Sequence, residues 1–274
     1  MNEQNLDYLS RQIKFTGFGE GHAKELKAKM ASGVGEFALI HQQEFGKDQV
    51  NAQLNFRKSE QSDLYFFNNY DLSVTGHKND TLKQTFYINP KEDNITLKEG
   101  YNLLSGRAIQ KEYTPREGEK YNAWLQLDFK ETDKNGQFKM KQYHPNYGFD
   151  LESTLHKHPI KELATNEGIQ RLLESLERGN RQQVTYGTGV SEQKVFIEAS
   201  PQFKSINLYD EGMKKIIGNS LKTGSHQAES VKQPLPEQAV TVSRVGKDRE
   251  GKEISPGKAD EEAPSKPRKQ KLKM

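Results

Sequence analysis

Tyr121-Asn122-Ala123-Trp124-Leu125-Gln126-Leu127-Asp128-Phe129-Lys130 reads as a single strand. Tyr121, Ala123, Leu125, Leu127 and Phe129 recur at period two, with Asn122, Trp124, Gln126, Asp128 and Lys130 between them. Successive side chains of a strand point to opposite faces, so the first row faces a core and the second faces solvent. Asp133-Lys134-Asn135-Gly136 follows, and Asn-Gly tolerates the positive φ that a tight hairpin turn requires. Phe138, Met140 and Gln142 then alternate with Lys139, Lys141 and Tyr143 down the returning strand. The stretch from Tyr121 to Asp150 is built on a β-hairpin.

Upstream, Leu6, Leu9 and Ile13 mark a short amphipathic helix, and Ala23, Leu26 and Met30 mark a second. Phe37 to Phe45 and Val50 to Lys58 read as strands joined at Gly46-Lys47-Asp48-Gln49, and Leu64 to Val74 with Leu82 to Ile88 as a further pair. Thr96-Leu97-Lys98-Glu99 is a capping box opening a helix that Gly106 closes. A polar loop is expected between Gly106 and the hairpin. Downstream, Asp150 caps a short helix holding Leu151 and Leu155. Ile169, Leu172, Leu173 and Leu176 fall at i, i+3, i+4 and i+7, the clearest helical stripe in the chain. Val184 to Val190, Val195 to Ala199 and Ile206 to Tyr209 complete the strands.

Helix, strand, turn, strand recurs over about 20–74, 95–151 and 165–213. The expected fold class is therefore α+β: degenerate αββ repeats packed together over residues 1–221, because a lone hairpin cannot bury both its faces. From 222 to 274 apolar periodicity ends, and Pro, Ser, Gln, Lys and Glu predict a disordered basic tail.

The chain has 274 residues, 41 Lys and Arg against 38 Asp and Glu, and no Cys. That composition excludes disulfides, thiolate metal sites and cysteine nucleophiles. Residues 222–274 hold 12 basic against 8 acidic residues, leaving 29 against 30 for residues 1–221, so the excess positive charge belongs to the tail. A balanced body supplies no broad field for nucleic acid. The first residues lack the cationic and apolar runs of a signal peptide, and no apolar run is long enough to span a membrane, so a cytoplasmic protein without membrane contact is expected.

Gly17, Gly19 and Gly21 stop short of a dinucleotide fingerprint, since His22 stands where the pattern continues and no buried strand precedes it. His156 and His158 lie two apart beside Pro159, a spacing that sets them on different sides of a helix, and His22, His41, His77 and His226 have no ligand-like neighbours in sequence. No G-x-S-x-G, H-E-x-x-H or P-loop occurs. No cofactor, metal or catalytic residue is assigned, and a non-catalytic role is expected. The best binding signal is local: Trp124 and Lys130 share the outward face of the hairpin with Lys139, Lys141 and Tyr143. Cations there would meet phosphates while rings stack on unpaired bases, with single-stranded DNA the favoured partner. The alternative is an ordinary solvated face in which Asp128 pairs with a lysine. Lys266, Arg268, Lys269, Lys271 and Lys273 either add a second nucleic-acid contact or simply keep the tail soluble.

Three strings carry a family resemblance: Lys120 to Lys130, Lys141 to Leu151, and Phe196-Ile197-Glu198-Ala199-Ser200-Pro201-Gln202-Phe203-Lys204-Ser205-Ile206-Asn207-Leu208-Tyr209-Asp210. Leu6 through Gly19 and Tyr101-Asn102-Leu103-Leu104-Ser105-Gly106-Arg107 also fit. Together they resemble a domain-of-unknown-function family of Bacteroidetes conjugative transposons and plasmids, found near or fused to topoisomerase-like proteins. The resemblance covers about residues 5 to 213 and implies an accessory of DNA processing or transfer on a mobile element. It brings no catalytic residues. Two functions are expected from it: an accessory binding protein with weak nucleic-acid contacts, or an adaptor for a topoisomerase or relaxase. In the adaptor, strand edges and the aromatics of Leu64 to Tyr70 would dock the partner.

Overall fold

The computed structural model describes residues 2–76, 80–90, 93–114 and 118–217. Among them the chain is mixed α+β, with five α-helices and three antiparallel sheets. The tail, its expected disorder and its five basic candidates (Lys266, Arg268, Lys269, Lys271 and Lys273) lie outside the described residues.

Helix α1 (Glu3–Ile13) starts where the Asn2 side chain accepts from the Asn5 N–H at 3.0 Å. Leu6, Leu9 and Ile13 form its buried stripe. Asn5 is also buried, and its amide replaces a strand neighbour: Nδ2 donates to Tyr65 O at 3.0 Å, while Oδ1 accepts from Tyr65 N at 2.8 Å. A wide turn at Lys14–Phe18 follows, in which Gly17 takes a φ of 91° and passes against Leu97. Helix α2 (Ala23–Ala31) leads into the first sheet: β1 (Glu36–Phe45), β2 (Asp48–Lys58), β3 (Tyr65–Thr75) and β4 (Thr81–Tyr87), paired in that order. On β2 and β3 apolar residues alternate with polar ones, so one face is buried and the other open.

Helix α3 (Leu97–Leu104) opens with both halves of the capping box formed between Thr96 and Glu99. It lies against the buried face of the first sheet, close enough that a Cβ on Gly100 would stand 2.9 Å from Leu72 Cδ2. The second sheet is β5 (Ile109–Tyr113), β6 (Tyr121–Thr132) and β7 (Phe138–Tyr143). Strand β5 lies in what the sequence suggested was a loop. Helices α4 (Leu151–Leu155) and α5 (Asn166–Glu177) precede the third sheet, ordered β11-β10-β9-β8: β8 (Gln182–Tyr186), β9 (Gln193–Ser200), β10 (Ser205–Tyr209) and β11 (Lys215–Ile216). Among the described residues the helices beginning at Ala23, Leu97 and Asn166 thus precede four, three and four strands. The strands expected at 64–74, 82–88 and 206–209 join the same sheets as the hairpins of the expected αββ units, and β5 and β11 are additions.

Two apolar cores result. The first gathers α1 to α3 and the first sheet with Leu125 and Leu127; the second gathers α4, α5 and the third sheet with Trp124. Strand β6 is the wall between them. This corrects the reading of its outward row: Trp124 is 4% exposed and buried beside Phe149, with ring centres 5.3 Å apart. In contrast, Phe129 and Met140 of the expected inward rows are exposed; Phe129 lies where the β6–β7 register shifts between Asp128 and Thr132, while Met140 is paired with buried Leu127 in the regular register.

Candidate functional site

The hairpin register pairs Trp124 with Tyr143, Gln126 with Lys141 and Asp128 with Lys139. Cross-strand partners share a face, so Trp124, Tyr143, Lys139 and Lys141 do lie on one side of the sheet. They do not form an open stacking platform. Trp124 belongs to the second core. Lys141 Nζ stands 2.7 Å from Asp128 Oδ2, and Lys139 Nζ stands 2.7 Å from Glu131 Oε2. The exposed Lys130 donates its backbone N–H to Asp128 Oδ1 at 3.1 Å. Hydrogen bonding to Asp128 raises the Lys141 pKa, the bond to Glu131 raises that of Lys139, and the Lys141 bond holds Asp128 below the usual carboxylate range. Lys139 and Lys141 are therefore each partnered by an acid before any ligand arrives, whereas Lys130 meets Asp128 only through its backbone N–H.

Half-buried Tyr143 continues onto Tyr147 at 5.0 Å between ring centres, and Lys204 Nζ lies 4.7 Å from the Tyr147 ring centre. Phe203, beside Lys204, is exposed. This small ring-and-cation patch was missed because its members are about sixty positions apart in sequence.

The aromatics of Leu64 to Tyr70 need the opposite correction. Tyr65, Phe67 and Tyr70 are in the first core, and Phe66 alone among these rings is exposed. Strand alternation drives this, since both 65/67 and, beyond the register shift at Asn55/Phe56, Tyr70 face the helices.

The outer face of the first sheet is open. Asn51, Gln53 and Asn55 of β2 stand beside Asn69, Asp71 and Ser73 of β3 and Thr85 of β4. Asn55 Nδ2 donates to Asn69 Oδ1 at 2.7 Å and Asp71 Oδ2 at 2.8 Å; Gln53 Nε2 donates to Asn55 Oδ1 at 3.0 Å. Two shallow hollows of about 340 and 600 Å³ lie over these side chains, bordered by Ile40, Lys83, Arg57 and Tyr87. Arg57 is matched by Glu36 at 3.4 Å and Glu60 at 3.2 Å. Such a face offers many neutral donors and acceptors and little net charge. It suits a polypeptide or other neutral polar partner better than a phosphate backbone.

Buried charge is concentrated elsewhere. A hollow of about 650 Å³ includes Asp93, Glu99, Lys111, Glu174, Glu177 and Arg178 in its lining. The Lys111 side chain is 4% exposed, and its ammonium reaches Glu99 Oε2 at 2.8 Å, Asn94 O at 2.9 Å and Asp93 Oδ1 at 3.2 Å. Three acceptors use all three ammonium protons, so the cluster is closed and braces α3 against β5. Likewise Glu198 accepts from Arg181 at 3.1 and 2.9 Å, from Asn207 at 3.0 Å and from the Tyr209 hydroxyl. Burial and that bond push Tyr209 up to about 12, which keeps its proton in place.

The structure also corrects the reading of two histidines: His22 Nε2 and His41 Nδ1 stand 3.1 Å apart, brought together by α2 packing on β1. His158 Nδ1 meets the Tyr186 hydroxyl at 3.2 Å. Among the described residues no three His, Asp or Glu gather as a metal site, and no histidine is hydrogen-bonded to a serine or threonine hydroxyl. No described helix is long and apolar enough to cross a membrane.

Comparison of the chain with models of protein families, with curated proteins and with solved structures returns no match.

Proposed function

We propose that the chain is a non-catalytic docking module whose partner is another protein, held on the outer face and margin of the first sheet. The observation carrying this reading is the unequal covering of that sheet: helices close one face, while the other presents a nearly neutral carpet of amides. The resemblance in Lys120 to Lys130 and Lys141 to Leu151 supports a cytoplasmic setting in the DNA-processing machinery of a mobile element, with a topoisomerase or relaxase as the docked protein. The recurrence of a helix followed by a meander supports reading the body as degenerate copies of one unit. The test is a photo-crosslinking residue at Gln53 or Asn69, with Glu167 on α5 as the control, in nuclease-treated cells. A protein adduct from both face positions and none from Glu167 is expected. Equal labelling at all three, or none at the face, rejects the reading.

A second reading is single-stranded DNA binding through Tyr143, Tyr147 and Lys204, favoured by the cation held over the Tyr147 ring. Anisotropy with labelled single strands across a salt series tests it. Lys204→Glu and Tyr147→Ala should each weaken binding several-fold, and affinity indifferent to both changes rejects it.

A further inference from the structure

We infer that the free edge of β1 receives an extended segment of the partner protein as a fifth strand, in which an apolar residue faces Ile40 and a cation faces Glu44. The inference rests on the docking reading and specifies where and how the partner attaches.

The register identifies which backbone groups are available. Lys58 N donates to Gly35 O at 2.7 Å, so positions 35 and 58 form a hydrogen-bonded pair of the β1–β2 ladder. Such pairs alternate along an antiparallel ladder, so Phe37, Leu39, His41, Gln43 and Phe45 bond to β2. The N–H and C=O groups of Glu36, Ala38, Ile40, Gln42 and Glu44 therefore point away from it. The same five side chains stand on the outer, amide-covered face, so edge and face form one continuous surface.

Proteins guard exposed edges with lysine, proline, bulges, very short strands or a covering group. The other edges here carry such devices. On β4, Gln137 Oε1 accepts from Thr85 N at 2.6 Å, and Gln84 Oε1 accepts from Phe138 N at 2.9 Å. On β8, the Glu162 carboxylate accepts from Thr185 N at 2.9 and 3.0 Å. Strand β7 carries Lys139 and Lys141, β5 is five residues long and β11 two. Strand β1 runs ten residues with no lysine, no proline and no register shift against β2, and its two carboxylates, Glu36 and Glu44, stand near its ends and leave 37–43 without a formal charge.

Charge and shape select the occupant. Ile40 is 56% exposed, and Glu44 makes no ion pair among the described residues, whereas Glu36 is matched by Arg57. A second copy of β1, laid antiparallel to use all five free positions, would set Glu36 against Glu44 twice. Like charges directly opposite destabilise a strand pair, so a different, cation-bearing segment fits this edge better.

The test selects a displayed library of random seven-residue peptides on the full chain and measures affinity for wild type, Ala38→Pro, Gln42→Pro and Gln53→Ala. Proline at 38 or 42 removes a free-edge donor and leaves the β2 ladder intact, as far-UV circular dichroism checks. Enriched peptides carrying an apolar residue and a cation four positions apart, on one face of the added strand, are expected. They should bind at least tenfold more weakly to both proline variants, and slow hydrogen exchange at Ala38, Ile40 and Gln42 amides in the wild type. An empty selection, or peptides bound equally by the proline variants, overturns the edge assignment. Peptides that lose affinity only on Gln53→Ala remove the edge and leave face docking standing, whereas edge binding without crosslinks at Gln53 does the reverse. A concentration-dependent dimer that Gln42→Pro abolishes would assign the edge to a second copy and overturn the proposal.

Discussion

Replacing Trp124 by alanine tests the two-core architecture at its shared wall. The indole is 4% exposed and meets Phe149 edge-on at 5.3 Å. A buried aromatic removes roughly 150–250 Å² from water, which at about 25 cal/mol per Å² corresponds to about 4–6 kcal/mol. Compactness of the unfolded chain lowers that figure, and large-to-small aromatic changes in cores cost about 3–5 kcal/mol. Trp124→Ala should therefore destabilise by about 3–5 kcal/mol, a large share of a typical total of about 5–15 kcal/mol. Trp124→Phe should cost less, since a ring remains against Phe149. Urea unfolding followed by far-UV circular dichroism measures both, because Trp124 is the only tryptophan. A loss below about 1 kcal/mol for the alanine variant would refute the second core. So would wild-type fluorescence freely quenched by iodide, which an outward-facing indole would permit.

Lys111→Met should cost about 3–5 kcal/mol by leaving Glu99 buried without its cation. Glu99→Gln should cost less, since glutamine keeps the capping-box geometry and Asp93 still faces the ammonium; urea midpoints showing the reverse order would contradict a closed cluster. Gly100→Ala gains about 1 kcal/mol of helix propensity, yet its methyl would crowd Leu72, Phe86 and Tyr70 at 2.9–3.1 Å. Overpacking of about 1–3 kcal/mol should dominate, and a higher melting temperature for the variant would contradict the close approach of α3. Burial, reinforced by His41, lowers the His22 pKa below its ordinary 6.5, so the unfolded chain takes up the proton first. The stability from neutral His22 is present above pH 6.5 and is lost as pH falls through the lowered native value. His158, lowered by burial, acts in the same direction, so His22→Gln should flatten the fall in urea midpoint between pH 7 and 5 without abolishing it; an unchanged slope would refute the assignment.

Elements whose signals are local were legible in the residues themselves. The Thr96–Glu99 capping box, the Asp150 cap, the α5 stripe and the β2 alternation all depend on neighbours within a few positions, and the structure contains each. Strand β5 was not legible because Ile109-Gln110-Lys111-Glu112-Tyr113 carries a lysine on its buried side. That lysine reads as solvent-exposed until Glu99, Asp93 and the Asn94 carbonyl surround it, and all three come from the preceding helix and loop. The His22–His41 contact and the Tyr143–Tyr147–Lys204 patch escaped for the same reason, being products of packing with no periodic trace.

The hairpin that opened the reading shows where a two-state pattern of inside and outside breaks down. Polar neighbours Asn122, Gln126 and Asp128 placed Trp124 on a wet face, and the face assignment held, since Trp124 is paired with Tyr143 and shares its side with Lys141. What alternation cannot encode is how far along a strand the covering layer extends. The second core covers this face at Trp124, Asp128 sits at its margin bonded to Lys141, and Lys130 lies beyond it in solvent. One face is thus core at one end and surface at the other, with the ion pairs placed at the boundary. The same limit applies to β1. Its residues announce a strand, but only the pairing order reveals that no strand among the described residues pairs with its far side, which is the observation behind the proposed attachment of a partner there.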